Sequence, residues 1–214
     1  MKIELGKLEI TRKKGSERFH SSGKSLGFDI KSFWQWSNSD LIGNTARGII
    51  AEYLVARALG LGKRDVRDAW SSYDIETTSG TRIQIKSAAY IQSWHQKELS
   101  NIVFNVQGRR AWDSITNIQS KEPHRHSDLY VFAVLAHKIK ATIDPTNIDQ
   151  WQFYVLPTVV LNNRKRSQHS ITLKSLEQLC SAVSYHSLRR VIEAGAKSTM
   201  SNKCLHTDAA APRR

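Results

Sequence analysis

Tyr73-Asp74-Ile75-Glu76-Thr77-Thr78-Ser79-Gly80-Thr81-Arg82-Ile83-Gln84-Ile85-Lys86-Ser87 is the stretch from which the fold is read. Apolar and polar residues alternate on both sides of Ser79-Gly80, the pattern of two strands joined by a turn. Residues two apart in a strand point to one face, so Gln84 and Lys86 share a side and Ile83 and Ile85 take the other. Asp74, on the first strand, is then expected to meet Gln84 and Lys86 at adjacent strand ends. A carboxylate, an amide oxygen and an ammonium in one place can hold a divalent cation and activate a water.

Upstream, a helix is expected from an N-cap at Asn44 to about Leu59, closed by Gly60. Its apolar stripe is read as Ile49, Ile50, Tyr53, Leu54, Ala58 and Leu59. Glu52 lies inside this apolar sequence, and two readings stand open. It sits at the edge of the stripe, paired with Arg47 or Arg57 or solvated, or it reaches the hairpin as a metal ligand. Downstream, 101–106 reads as a further strand and 107–126 as an exposed polar loop. The near-continuous apolar run Asp128 to Ala136 reads as a strand buried on both faces. A last strand is expected over 151–156, followed by a basic loop at 162–169 and short helices near 176–183 and 187–194. The order predicts a mixed α/β fold, with a central mixed sheet of about five strands flanked by helices. No glycine-rich phosphate loop is present, which disfavours nucleotide-dependent folds.

The domain expected from this organisation spans 37–196. Before it, 1–36 is a basic extension, with a short hairpin over residues 2–10 and an arm over 11–26 that either contacts DNA or is simply solvated. Trp34 and Trp36 either pack that extension onto the core or stack on bases. After it, 197–214 is expected to be a disordered tail.

Lys and Arg number 32 against 19 Asp and Glu, a net charge of +13. An excess of this size predicts salt-sensitive affinity for a polyanion. No apolar run is long enough to span a membrane. Met1-Lys2-Ile3-Glu4 lacks the apolar stretch of a signal peptide, and Cys180 and Cys204 have no metal-binding spacing, so two free thiols and a cytoplasmic location are expected.

Hydrolysing a phosphodiester requires an activated nucleophile, charge stabilisation on the phosphoryl oxygens and help for the leaving oxygen. Mg²⁺ or Mn²⁺ supplies all three when oxygen ligands leave positions open. Asp74 is the expected anchor, Gln84 and the Ile85 carbonyl give further oxygens, and Lys86 orients the water or stabilises the transition state. Glu52 would supply the negative charge that Gln84 lacks.

Glu52 on a helix, Asp74 on a strand and Gln84-Ile85-Lys86 on the next resemble the PD-(D/E)xK nuclease superfamily, the restriction-endonuclease-like fold. The run Arg47-Gly48-Ile49-Ile50-Ala51-Glu52-Tyr53-Leu54-Val55-Ala56 looks like the first helix of its branch of Holliday-junction resolvases and Mrr-like restriction enzymes. The resemblance covers residues 44 to 136. It implies a core of a helix, three antiparallel strands, a helix and a fourth strand, and a metal-dependent endonuclease of DNA, in restriction, defence, repair or recombination. Tyr73 stands where the pattern has Pro, and Gln84 where it usually has Asp or Glu. Nucleic-acid contacts are expected from Ser87, Tyr90 and Gln92 past the catalytic strand, from Arg47, Arg109 and Arg110, and from Arg164, Lys165 and Arg166. The last group serves either to read DNA or to build a homodimer. Two other functions fit the same composition: a DNA-binding module with a degenerate nuclease site, and a basic protein-interaction or regulatory domain.

Overall fold

The computed structural model describes residues 5–63 and 65–208, with Met1–Glu4 of the expected first hairpin outside them. The chain opens with a hairpin, β1 (Arg18–Ser21) and β2 (Lys24–Asp29), and two helices, α1 (Ile30–Asn38) and α2 (Asn44–Ala58). The hairpin of the sequence reading follows as β3 (Ile75–Glu76) and β4 (Arg82–Ala89). Three short strands come next, β5 (Val103–Asn105), β6 (Trp112–Asp113) and β7 (Ile118–Gln119), and then the long strands β8 (Leu129–Leu135) and β9 (Trp151–Pro157). α3 (Thr158–Asn162), β10 (Ser170–Thr172), α4 (Leu173–Glu177) and α5 (Tyr185–Asp208) complete the order.

The fold is mixed α/β, with a central sheet of four strands, rather than about five, in the order β3-β4-β8-β9. β3 runs antiparallel to β4, β4 parallel to β8, and β8 antiparallel to β9. The strand expected at 101–106 is the one that is missing from it. β5 leaves the central sheet and pairs with the distant β10. A parallel pair needs a long crossover, and residues 90–128 provide it without a helix, carrying β5 and the β6–β7 hairpin on the way. That excursion replaces the antiparallel third strand and the second helix that the resemblance implied.

β8 is buried at every position, as its apolar run predicts. Side-chain alternation divides the core into two layers, one on each face of the sheet. Ile83, Ile85, Leu129, Val131 and Phe153 face α2 and α5, while Ala88, Tyr130, Phe132, Tyr154 and Leu156 face β5, β10, α3 and α4. Gly195, just past the helix expected near 187–194, lies inside α5, where a Cβ would come within 3.3 Å of a Leu129 methyl. It is a point of close approach between helix and sheet. α5 continues to Asp208, into the segment expected to be a disordered tail.

α2 buries Arg47, Ala51, Leu54 and Val55 against β4. Ile49 and Tyr53, expected in the apolar stripe, are exposed instead. The small residues around Glu52 face the sheet because β4 approaches closely on that side. The cap residue is Gly43, and the Asn44 side chain is taken by Arg47. The N-terminal extension is folded from Arg18 onwards, while residues 5–10 carry no strand. α1 buries none of its residues, and Trp34 packs on Gly15 rather than on the core. Among the described residues no helix is long and apolar enough to cross a membrane.

Candidate active site

Asp74 stands one residue before β3, at the edge of the sheet. Its backbone N–H donates to the Ile83 carbonyl at 3.0 Å, which continues the β3–β4 ladder by one step. Beyond that step β4 has no strand beside it on this edge, and the Asp74 side chain takes the place of one. Oδ2 accepts from the Ile85 N–H at 2.6 Å and from the Gln84 amide. The N–H and C=O of a strand residue point to the same edge, so the Ile85 carbonyl lies on the Asp74 side. Gln84 and Lys86 share the face of Ala88, as the alternation predicts, and stand opposite Tyr130 and Phe132 of β8.

Burial pushes the Asp74 carboxyl above the ordinary carboxylate range, and the nearby charge of Glu52 adds to the rise. The Ile85 N–H and the charges of Lys86 and Arg67 pull the other way without cancelling it. Burial likewise pushes the Lys86 ammonium below the ordinary lysine range. Arg109 adds to that lowering, while Asp74 and Glu52 oppose it. Asp74, Lys86 and Glu52 therefore lie in one electrostatic neighbourhood, within reach of the charges of Arg67 and Arg109. Such opposed shifts in a carboxylate and an amine held together are characteristic of catalytic sites.

Glu52 is not free. Both of its oxygens are held by Arg67, with Nη2 donating to Oε1 at 2.9 Å and Nε to Oε2. One of the open readings paired it with Arg47 or Arg57; the partner instead comes from the loop before the hairpin. Glu52, Arg67 and Asp74 line a cleft of about 610 Å³, together with Arg12, Tyr53 and Tyr73. Gln84 and Lys86 lie outside its lining, on the far side of Asp74.

Two residues expected to face DNA are instead buried. Arg47 is 4% exposed and Gln92 6%. Arg47 donates to Ser87 Oγ at 3.1 Å, the Ile42 carbonyl at 2.9 Å, Gln92 Oε1 at 3.2 Å and Asn44 Oδ1 at 2.7 Å. Gln92 in turn donates to the Ala89 carbonyl and to Ser100 Oγ. Both are committed to holding α2, the end of β4 and the chain after it, and Ser87 serves the same knot. Tyr90 lies under the Lys138 ammonium, 4.7 Å from its ring centroid. Arg109, Arg110, Lys165 and Arg166 are exposed, while Arg164 is half-buried and donates to the Ser170 carbonyl.

Among the described residues no group of three or more His, Cys, Asp or Glu side chains is gathered to hold a metal. The donors beside Asp74 are of the kind that Mg²⁺ takes: one carboxylate, one amide and one peptide carbonyl. Asp74 Oδ1 makes no hydrogen bond among the described residues. Burial disfavours the charged form of this carboxyl, and a cation beside it would offset that cost. The donor chemistry thus fits a hard divalent ion. Gln84 presents its nitrogen to Asp74 as drawn, and a half-turn of the amide puts its oxygen there.

Arg67 and Tyr130 belong to this neighbourhood and were not singled out in the sequence. Arg67 is one of several cations in an irregular connection between α2 and β3. Tyr130 is hidden in an apolar run, although the parallel register places it directly opposite Gln84.

Residues 10–175, more than three quarters of the chain, match the sequence profile of the family described as bacteriophage T4 endonuclease IV. The match includes every residue of the Asp74 cluster. No curated protein matches the sequence.

Proposed function

This chain belongs to the bacteriophage T4 endonuclease IV family, and from that premise we propose that it is an endonuclease that hydrolyses DNA phosphodiesters at the Asp74–Gln84–Lys86 cluster with a divalent cation. The observation that carries the reading is the capping of β4 by the Asp74 carboxylate, which brings an acid, an amide and a half-buried ammonium to one open sheet edge. The assignment to the PD-(D/E)xK plan is supported by the same features. A helix precedes an antiparallel hairpin, Asp opens the hairpin, Gln-x-Lys lies on its second strand, and a buried strand runs parallel to that one.

Asp74, Gln84 and the Ile85 carbonyl would hold Mg²⁺ or Mn²⁺, with Glu52 as a further ligand. When bound, the ion supplies Lewis acidity toward the phosphate and lowers the pKa of a coordinated water. Lys86 orients the attacking water and stabilises the charge that builds on the phosphoryl oxygens. Its burial matters, because an ammonium screened from solvent acts more strongly on a nearby phosphoryl oxygen. Arg109, close enough to act on the Lys86 charge, holds the strand beside the scissile group. Arg110, Lys165 and Arg166 contact the backbone and make binding salt-sensitive.

The test uses the full chain and supercoiled plasmid. Nicking is expected with Mg²⁺ or Mn²⁺ and none with EDTA. Nicking undiminished in EDTA would refute the metal-dependent reading. DNA binding with no nicking in either metal would favour a degenerate site, the reading to which the engagement of Glu52 by Arg67 lends weight.

A further inference from the structure

We propose that Arg67 is a DNA-backbone ligand held in reserve by Glu52, and that a phosphodiester entering the cleft takes Arg67 over and releases the Glu52 carboxylate toward Asp74. The proposal rests on the catalytic reading above for the use made of the freed carboxylate. The exchange itself rests on the geometry of the pair.

Arg67 and Glu52 are joined by two hydrogen bonds, the fork-to-carboxylate arrangement that a phosphate reproduces with two of its own oxygens. A phosphodiester can therefore replace Glu52 on Arg67 bond for bond. The pair is also asymmetric in its exposure. The Arg67 side chain is 41% exposed and that of Glu52 16%, so an incoming group reaches the guanidinium first. Arg67 Nη1 makes no hydrogen bond among the described residues and is available to the first oxygen that arrives.

The surroundings agree with the exchange. Arg67 lines the same cleft as Asp74 and lies within electrostatic reach of it, so a phosphate bound there stands beside the proposed catalytic carboxylate. Arg12, from the basic extension, lines that cleft too and supplies a second positive charge for a backbone that already meets Arg109. While the pair is closed, each Glu52 oxygen is engaged by Arg67 and the guanidinium offsets the carboxylate's charge, so Glu52 draws a cation weakly. Once it is open, the carboxylate stands in the field of Asp74 and Lys86 with its charge uncompensated. The pair thereby ties ligand binding in the cleft to completion of the acidic set, a coupling between two ligands of the kind that linkage requires to be reciprocal.

The test is a double-mutant cycle read by binding of a fluorescein-labelled DNA duplex in EDTA, where no metal and no cleavage contribute. Arg67→Ala is expected to weaken binding about tenfold, the size of one charge-assisted contact, and to reduce the salt slope by about 1. Glu52→Gln is expected to tighten binding, since it releases Arg67 in advance, and the gain is expected to vanish in the Arg67→Ala background. Arg67→Lys, which keeps the charge without the fork, should retain the salt slope and lose part of the affinity. Thermal melting of each variant shows that it is folded. An unchanged salt slope in Arg67→Ala, or the same gain from Glu52→Gln with and without Arg67, would overturn the proposal. Either result would leave the catalytic reading intact, because that reading is judged by nicking with and without metal and in Lys86→Met, and not by binding in EDTA.

Discussion

Lys86→Met is expected to yield a protein that binds DNA, melts at or above the wild-type temperature, and cuts about 10²- to 10⁴-fold more slowly. The loss in rate follows from removing a half-buried cation that acts on Asp74. The effect on stability follows from the direction of its pKa shift. A lysine whose pKa falls on folding costs the native state free energy as the pH drops below its unfolded value, and the cost is complete once the pH is below its folded value. Methionine fills a similar volume without the charge and removes that cost. Asp74 loses an attractive neighbour in the exchange, which offsets part of the gain. A structural lysine would behave in the opposite way, with melting lowered and cutting preserved. Single-turnover cleavage beside calorimetric melting separates the two outcomes.

Arg47→Ala is expected to destabilise the protein by about 3 kcal/mol and to lower Tm by roughly 6 to 12 °C for a chain of this size. The arginine is buried, and its donors are spread over four acceptors that have no alternative partner within the knot. Removing it leaves the Ile42 carbonyl, Gln92 Oε1 and Ser87 Oγ in need of partners at the junction of α2 with the end of β4. Arg166→Ala is the control. This exposed arginine is expected to change stability by less than about 0.5 kcal/mol while weakening DNA binding. A Tm for Arg47→Ala equal to that of Arg166→Ala would show that the buried network contributes little.

These two arginines mark what the sequence could and could not convey. Both belong to a basic chain, and a local reading places both on a DNA-facing surface. Arg47 is buried because Asn44, Ser87 and Gln92 converge on it, and two of those partners lie 40 and 45 positions away. Burial of a charged residue is set by such long-range partners, which no local period reports. The hairpin was legible because alternation with a period of two determines which residues share a face. It placed Asp74 beside Gln84, and the burial of β8 was legible from its near-continuous apolar run. β5 is the counterexample. Its three residues read as a strand, but their partner, β10, lies some 65 residues further on, and a three-residue strand carries no mark of which sheet it will join. The Glu52–Arg67 pair was half legible. Glu52 stood out as a carboxylate in an apolar helix that needed a partner, whereas Arg67 was one of several cations in an irregular connection.

The fold places a helix on one face of a sheet edge and a lysine on the other, with Asp74 between them. Gln84 brings no charge and Arg67 holds both Glu52 oxygens, so the proposed metal site is expected to be of low affinity without DNA and, if DNA takes over Arg67, stronger with it. Crystals of the protein grown with Mn²⁺ and a DNA duplex, examined by anomalous diffraction, test this most directly. The account predicts an anomalous peak between the oxygens of Asp74 and Gln84. A peak elsewhere with none at Asp74, in crystals whose DNA lies across the cleft, would contradict it.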